Sequence, residues 1–90
     1  VSLPSVPPLY DAHNHLQDER LAAQLEGVLA ECQNAGIARM VVNGSREADW
    51  PRVLALAKRH PIVVPSFGYH PWYIGERTDQ WLDELQRHLD

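Results

Sequence analysis

The sequence predicts an α/β fold built from three βα units on a parallel sheet. Three short apolar runs, "LYDAH", "IARMVVNG" and "IVVPSFGYHP", alternate with segments whose apolar residues repeat at helical spacing. Strands alternating with amphipathic helices imply parallel pairing with helices outside. The second and third runs are continuously apolar, as strands covered on both faces are.

The head, "VSLPSVPP", reads as an extended lead-in over residues 1–8, because Pro7 and Pro8 forbid helix. A first strand covers Leu9–Ala12. Asp18 is a good N-cap, and Leu21, Leu25, Val28, Leu29 and Cys32 form one apolar stripe, so a helix is expected from Glu19 to Ala35. Gly36 stands where a helix-terminating glycine falls. The second strand is Ile37–Val42, closed by Asn43-Gly44. Asp49 and Pro51 suit the start of a second helix from Trp50 to His60, with Trp50, Val53, Leu54 and Ala57 on its apolar face. His60-Pro61 ends it. The third strand, Ile62–Phe67, runs into a Gly-Tyr-His-Pro corner. Thr78 opens a third helix with Trp81, Leu82, Leu85 and Leu89 on one side.

Composition narrows the function classes. The 90 residues make room for one small domain, and 44% apolar content excludes disorder and fibres. A net charge of −4 without a basic run argues against a broad nucleic-acid-binding surface, though not against a pocket for one phosphate. The single cysteine, Cys32, allows no internal disulfide and suits a reducing, cytoplasmic setting; its place on the apolar stripe makes it a core residue. No run reaches the ~18 apolar residues of a membrane span. Three βα units fall short of the five or so strands of a doubly wound sheet and the eight of a closed barrel. The 90 residues are therefore expected to be the first part of a larger fold, or to assemble with another chain.

The chemistry gathers in "LYDAHNHLQD". Alternate strand residues share a face, so Asp11, His13 and His15 are expected to project together at the C-terminal end of the first strand. Two histidines so placed have Cα atoms about 6–7 Å apart, a span that lets both imidazoles converge on one cation. Asp11 is expected to anchor its own loop or orient a histidine. His70, just past the third strand end, faces the same rim. Asn43 suits turn chemistry or a hydrogen bond to substrate. His60 and His88 sit near helix C-termini, where a cation favours the dipole. Trp50, Trp72 and Trp81 read as packing groups.

"DAHNHLQD" resembles the Asp-x-His-x-His opening of the TatD-type metal-dependent hydrolases, often described as deoxyribonucleases. "VVNGSREADWPRVLALAKRHPIVVPSFGYHPW" resembles their continuation. Asp-x-His-x-His alone is shared with other amidohydrolase-like barrels and with PHP-type phosphoesterases. Its pairing with Gly68-Tyr69-His70-Pro71 is more specific and argues against those alternatives. The resemblance implies the opening three units of a TIM-type (β/α)8 barrel, with residues 1–90 as the N-terminal part of one hydrolase domain. It implies that His13 and His15 are metal ligands and that His70 is catalytic, contacting substrate phosphate. It implies divalent ions (Mg, Mn or Zn), two in the complete enzyme, and DNA or another phosphodiester as substrate. The family's other ligands are a glutamate after strand four, histidines after strands five and six, and an aspartate after strand eight. They lie outside these 90 residues, so the segment alone is expected to be inactive and to need the remainder of the barrel. The alternative of a different class is a non-catalytic half-barrel interaction module.

Overall fold

A computed structural model describes residues 7–90. Most of the extended lead-in expected at residues 1–8 lies outside them; Pro7 and Pro8 are exposed and outside regular structure. The described chain runs β1 (Leu9–Asn14), a 3₁₀ helix (Glu19–Gln24), α1 (Leu25–Asn34), β2 (Ile37–Asn43), α2 (Trp50–Arg59), β3 (Val63–Ser66), a second 3₁₀ helix (Pro71–Glu76) and α3 (Trp81–Leu89). The strands form one sheet in the order β1-β2-β3, and both pairings are parallel. This is the βα alternation read from the sequence.

Several element boundaries differ from expectation for local reasons. The helix expected from Glu19 to Ala35 is split. Asp18 caps its start, but the Asp18 carbonyl accepts from Leu21 N, a three-residue spacing that winds the first turn as 3₁₀. Gly36 ends α1 with φ +94°, the left-handed conformation that favours glycine. β3 is shorter than Ile62–Phe67 and contains Pro65. The carbonyls of Ile62 and Ser66 receive the amides of Met40 and Gly44. By strand alternation the backbone of residue 65 faces away from β2, so the missing N–H removes no β2 bond.

The core is the face where α1 and α2 cover the sheet. Met40, Val42 and Val53 are almost fully buried, with Leu29, Leu56 and Ile62 around them. On α2 it is Leu56, not Leu54, that is buried with Val53. On α3 the half-buried residues are Trp81, Glu84, Leu85 and His88, a stripe at helical spacing. Leu82 and Leu89 lie off it and are exposed, correcting the expected four-residue face.

Apolar side chains remain exposed on the strands that bound the sheet: Leu9 and Tyr10 on β1, Val64 on β3. Open apolar edges promote pairing between copies. The 90-residue chain by itself is expected to sediment as species larger than a monomer, and Val64→Lys should shift it towards monomer. A monomer with a cooperative thermal transition before any substitution would contradict this.

Candidate functional site

The site starts at an irregularity in β1. Asp11 pairs with Met40 and Asn14 with Val42, so three steps on β1 match two on β2. This bulge breaks strict alternation and re-aims the strand end. His13 and His15 still come together, with ring centroids 5.0 Å apart and planes at 87°. Asp11 does not join them as a third group. Its carboxylate accepts from Asn14 Nδ2 at 2.9 Å and from His13 N at 3.0 Å, so it holds its own loop. These bonds, Asn14's first, keep its carboxyl below the usual range. Among the described residues no cluster of three or more His, Cys, Asp or Glu is arranged to hold a metal.

Hydrogen bonds sort the histidines by tautomer. His15 Nδ1 lies 2.7 Å from the backbone oxygen of Asn43. A carbonyl has no proton to give, so Nδ1 carries the proton and donates it. That leaves the Nε2 lone pair free, the arrangement a metal-binding imidazole adopts. His70 is the reverse. Its Nδ1 accepts from Trp72 N at 3.1 Å, so in the neutral ring Nε2 carries the proton and is a donor. His13 is exposed. The donor set present is thus two imidazoles, one with its lone pair directed by a backbone carbonyl. It fits part of the shell of a divalent cation that accepts nitrogen ligands.

The loop between β2 and α2 fixes these positions. Asp49 is buried at the N-terminus of α2, yet its carboxylate does not cap that helix. It turns back to accept from Ser45 N, Ser45 Oγ, Arg46 N and Gln17 Nε2. The expected cap is therefore a loop anchor, because those donors already fill the oxygens. Gln17 Nε2 also donates to Asn43 O at 2.8 Å, the atom that receives His15. Trp50, fully buried, donates its indole N–H to Gly68 O at 2.8 Å, and His70 N donates to Ser45 O at 2.8 Å. A Cβ on Gly44 would stand 2.6 Å from Trp50 Cδ1 and 3.2 Å from Ser66 O, so only glycine lets the indole close on β3. Glu47 accepts from Tyr69 Oη, Thr78 N and Thr78 Oγ1. The Tyr69 hydroxyl, then Thr78, holds its carboxyl below the usual range, while burial first and Glu47 second push the Tyr69 phenol up. Thr78, expected to open α3, instead joins its approach to this loop.

The three strand ends meet at one rim. His13, His15, Asn43, Gly68 and His70 line a cleft of about 250 Å³. A larger hollow of about 880 Å³ adjoins it, lined by Asp11, His15, Gln17, Arg46, His70 and Trp72. Trp72 is 84% exposed with its ring 4.8 Å from that of His70, which corrects its reading as a packing group. Trp50 packs as expected, Trp81 is half-buried under the Arg77 guanidinium, and Cys32 is half-buried against the core. His88 Nδ1 donates to Glu84 O within α3, and its ring packs on Trp50 and Phe67; His60 closes α2 with Nε2 3.7 Å from Glu26.

The family model described as "TatD related DNase" matches residues 10–90. The chain belongs to this TatD family. It is 28% identical over 80 residues to an uncharacterized metal-dependent hydrolase, YjjV, of Escherichia coli K12, covering 89% of this chain and 31% of that protein. It is 26% identical over 83 residues to a second such hydrolase, YabD, of Bacillus subtilis 168, covering 32% of it. The Cut9-interacting protein scn1 of Schizosaccharomyces pombe is 39% identical over 79 residues, 22% of its length. The crystal structure of YjjV, a TatD homolog, superposes with a TM-score of 0.81 over 89% of this chain and 31% of that one. The chain thus spans about a third of the length of the two hydrolases. Its three βα units are part of a TIM-type barrel.

Sequence reading found the three histidines but not Gln17, Glu47, Tyr69 or the indole of Trp50 as the groups that hold them. Each acts across 18 or more residues, and no local motif marks such a bond. Two outcomes are expected. Trp50→Phe leaves Gly68 O without its donor and a gap where the indole was wider, lowering stability by at least about 1 kcal/mol in urea unfolding; an unchanged midpoint would show that the bond contributes nothing. Glu47 has a depressed folded pKa, so its contribution is present above the ordinary glutamate range and lost as pH falls through the lower folded value. Glu47→Gln should therefore flatten the acid limb of the melting temperature against pH, measured by circular dichroism.

Proposed function

We propose that this segment carries the first metal ligands and a substrate-binding corner of a divalent-metal-dependent hydrolase that cleaves phosphodiesters, a deoxyribonuclease acting on DNA ends in the cytoplasm. The observation that carries the reading is the opposed tautomers at one cleft: a lone pair on His15 Nε2 beside His13, and a proton on His70 Nε2. Membership of the TatD family supports it. His13 and His15 would hold one ion, Zn²⁺ or Mn²⁺ being better suited to imidazole than Mg²⁺. When bound, such an ion supplies an activated water and neutralises charge on the phosphoryl oxygens. The chain's own residues orient and donate. The Asn43 carbonyl holds His15 in the ligating tautomer. His70 Nε2–H donates to a non-bridging oxygen of the substrate, a charge-assisted bond that strengthens as charge develops there. Two nitrogens are fewer than the three protein ligands of a catalytic site, so turnover belongs to the complete barrel, with a second ion held by its other strands.

A second reading has its own support. The exposed residues at the sheet edges, Leu9, Tyr10 and Val64, suit an interaction module. Indifference to chelator would favour that module.

In the complete barrel, His13→Ala and His15→Ala are expected to lower metal content, by elemental analysis, and DNA hydrolysis together. His70→Ala should keep the metal and lower kcat/KM, by a factor of 10²–10³ if it aids the transition state as oxyanion donors do. Full metal and full activity in both His13→Ala and His15→Ala would refute the assignment. Loss of metal in His70→Ala would refute the division of roles.

A further inference from the structure

We propose that Gln17, held by Asp49, is a positioning residue that fixes the tautomer and ring direction of His15 through the backbone carbonyl of Asn43. The proposal rests on the metal-ligand reading of His15 above. Gln17 and Asp49 are 6% and 5% exposed, the buried polar side chains among the described residues. Gln17 Nε2 carries two protons. One goes to Asp49 Oδ2 at 3.0 Å and the other to Asn43 O at 2.8 Å. Asn43 O has two lone pairs, and His15 Nδ1 takes the second at 2.7 Å. With both pairs engaged, the carbonyl keeps one direction and offers His15 one partner.

The amide has no alternative orientation. Its Oε1 is buried without a hydrogen-bond partner among the described residues. Turning the amide over would set that oxygen against two other oxygens, Asn43 O and Asp49 Oδ2, neither of which can donate to it. Glutamate at this position would place a carboxylate against the same two acceptors. Asparagine is one methylene shorter and spans less. Asp49 is itself held by the Ser45 hydroxyl and the Ser45 and Arg46 amides, so the chain from α2 to the His15 ring contains no free rotor.

A purely structural role for Gln17 predicts lower stability with the His15 tautomer unchanged; a positioning role moves the tautomer. The test uses the complete barrel, labelled with ¹⁵N-histidine and free of metal. Long-range ¹H–¹⁵N spectra should show His15 as the Nδ1–H tautomer in the wild type. Gln17→Met, similar in length but without donors, should give a mixture of tautomers. Its Zn²⁺ affinity, by competition with a chromogenic chelator, should fall about 10-fold or more. A single Nδ1–H tautomer with unchanged Zn²⁺ affinity in Gln17→Met would overturn the proposal. Should that variant not fold, the wild type decides: Gln17 side-chain amide protons protected from exchange support the bridge, and rapid exchange overturns it. If neither His13→Ala nor His15→Ala weakens Zn²⁺, the metal reading fails while the tautomer result stands on its own.

Discussion

The buried carboxylate of Asp49 is the constraint on which the rim depends. Its two oxygens accept from both loops that flank it: the turn after β2 at Ser45 and Arg46, and the turn after β1 at Gln17. A buried charge is tolerated only when its hydrogen bonds are made, and here they draw two strand ends to one point. The Ser45 carbonyl then receives His70 N, and Trp50, the next residue after Asp49, donates its indole N–H to the Gly68 carbonyl. The corner after β3 is thus attached to the same loop. The three histidines come from two segments distant in sequence, the ends of β1 and β3, and their common cleft follows from these few bonds.

Apolar packing alone would not produce this. α1 and α2 cover one face of the sheet and fix the strand order through Met40, Val42 and Val53, but those contacts lie below the rim. Side chains at strand ends have few packing neighbours, so direction there is set by hydrogen bonds. The bulge in β1 matters for the same reason. It interrupts regular pairing at His13, and Asp11, Asn14 and Asn43 take over the backbone groups that the ladder no longer serves.

What was legible in the sequence is what local periodicity encodes. The alternation of strands and helices, the cap at Asp18, the glycine at 36 and the proline stop after His60 all read directly, because each depends on residues within one or two turns. His-x-His and the Gly-Tyr-His-Pro corner were legible as motifs. The split of the first helix was not, since a three-residue and a four-residue spacing leave nearly the same apolar pattern. Nor was the reach of Asp49: an aspartate before a helix looks like a cap whichever way its carboxylate turns. Gln17 and Trp50 were invisible as positioning groups because their partners lie 26 to 32 and 18 residues away.

The two histidines at the end of β1 are held unequally, and that difference has a physical consequence. His15 is anchored through Nδ1 to a carbonyl that is itself anchored, whereas the His13 ring is exposed and touches His15 edge-on. A locked imidazole has little entropy left to lose when it takes a ligand; an unlocked one loses rotamer freedom at that moment but can turn to the direction the ligand requires. In the reading proposed here, His15 sets where an ion sits and His13 adjusts to it. Divalent ions differ in bond length and coordination number more than a rigid pair of nitrogens tolerates. One fixed and one adjustable imidazole on a single strand end suit a site whose remaining ligands arrive from other strands, because the fixed ring defines the position to which they must converge.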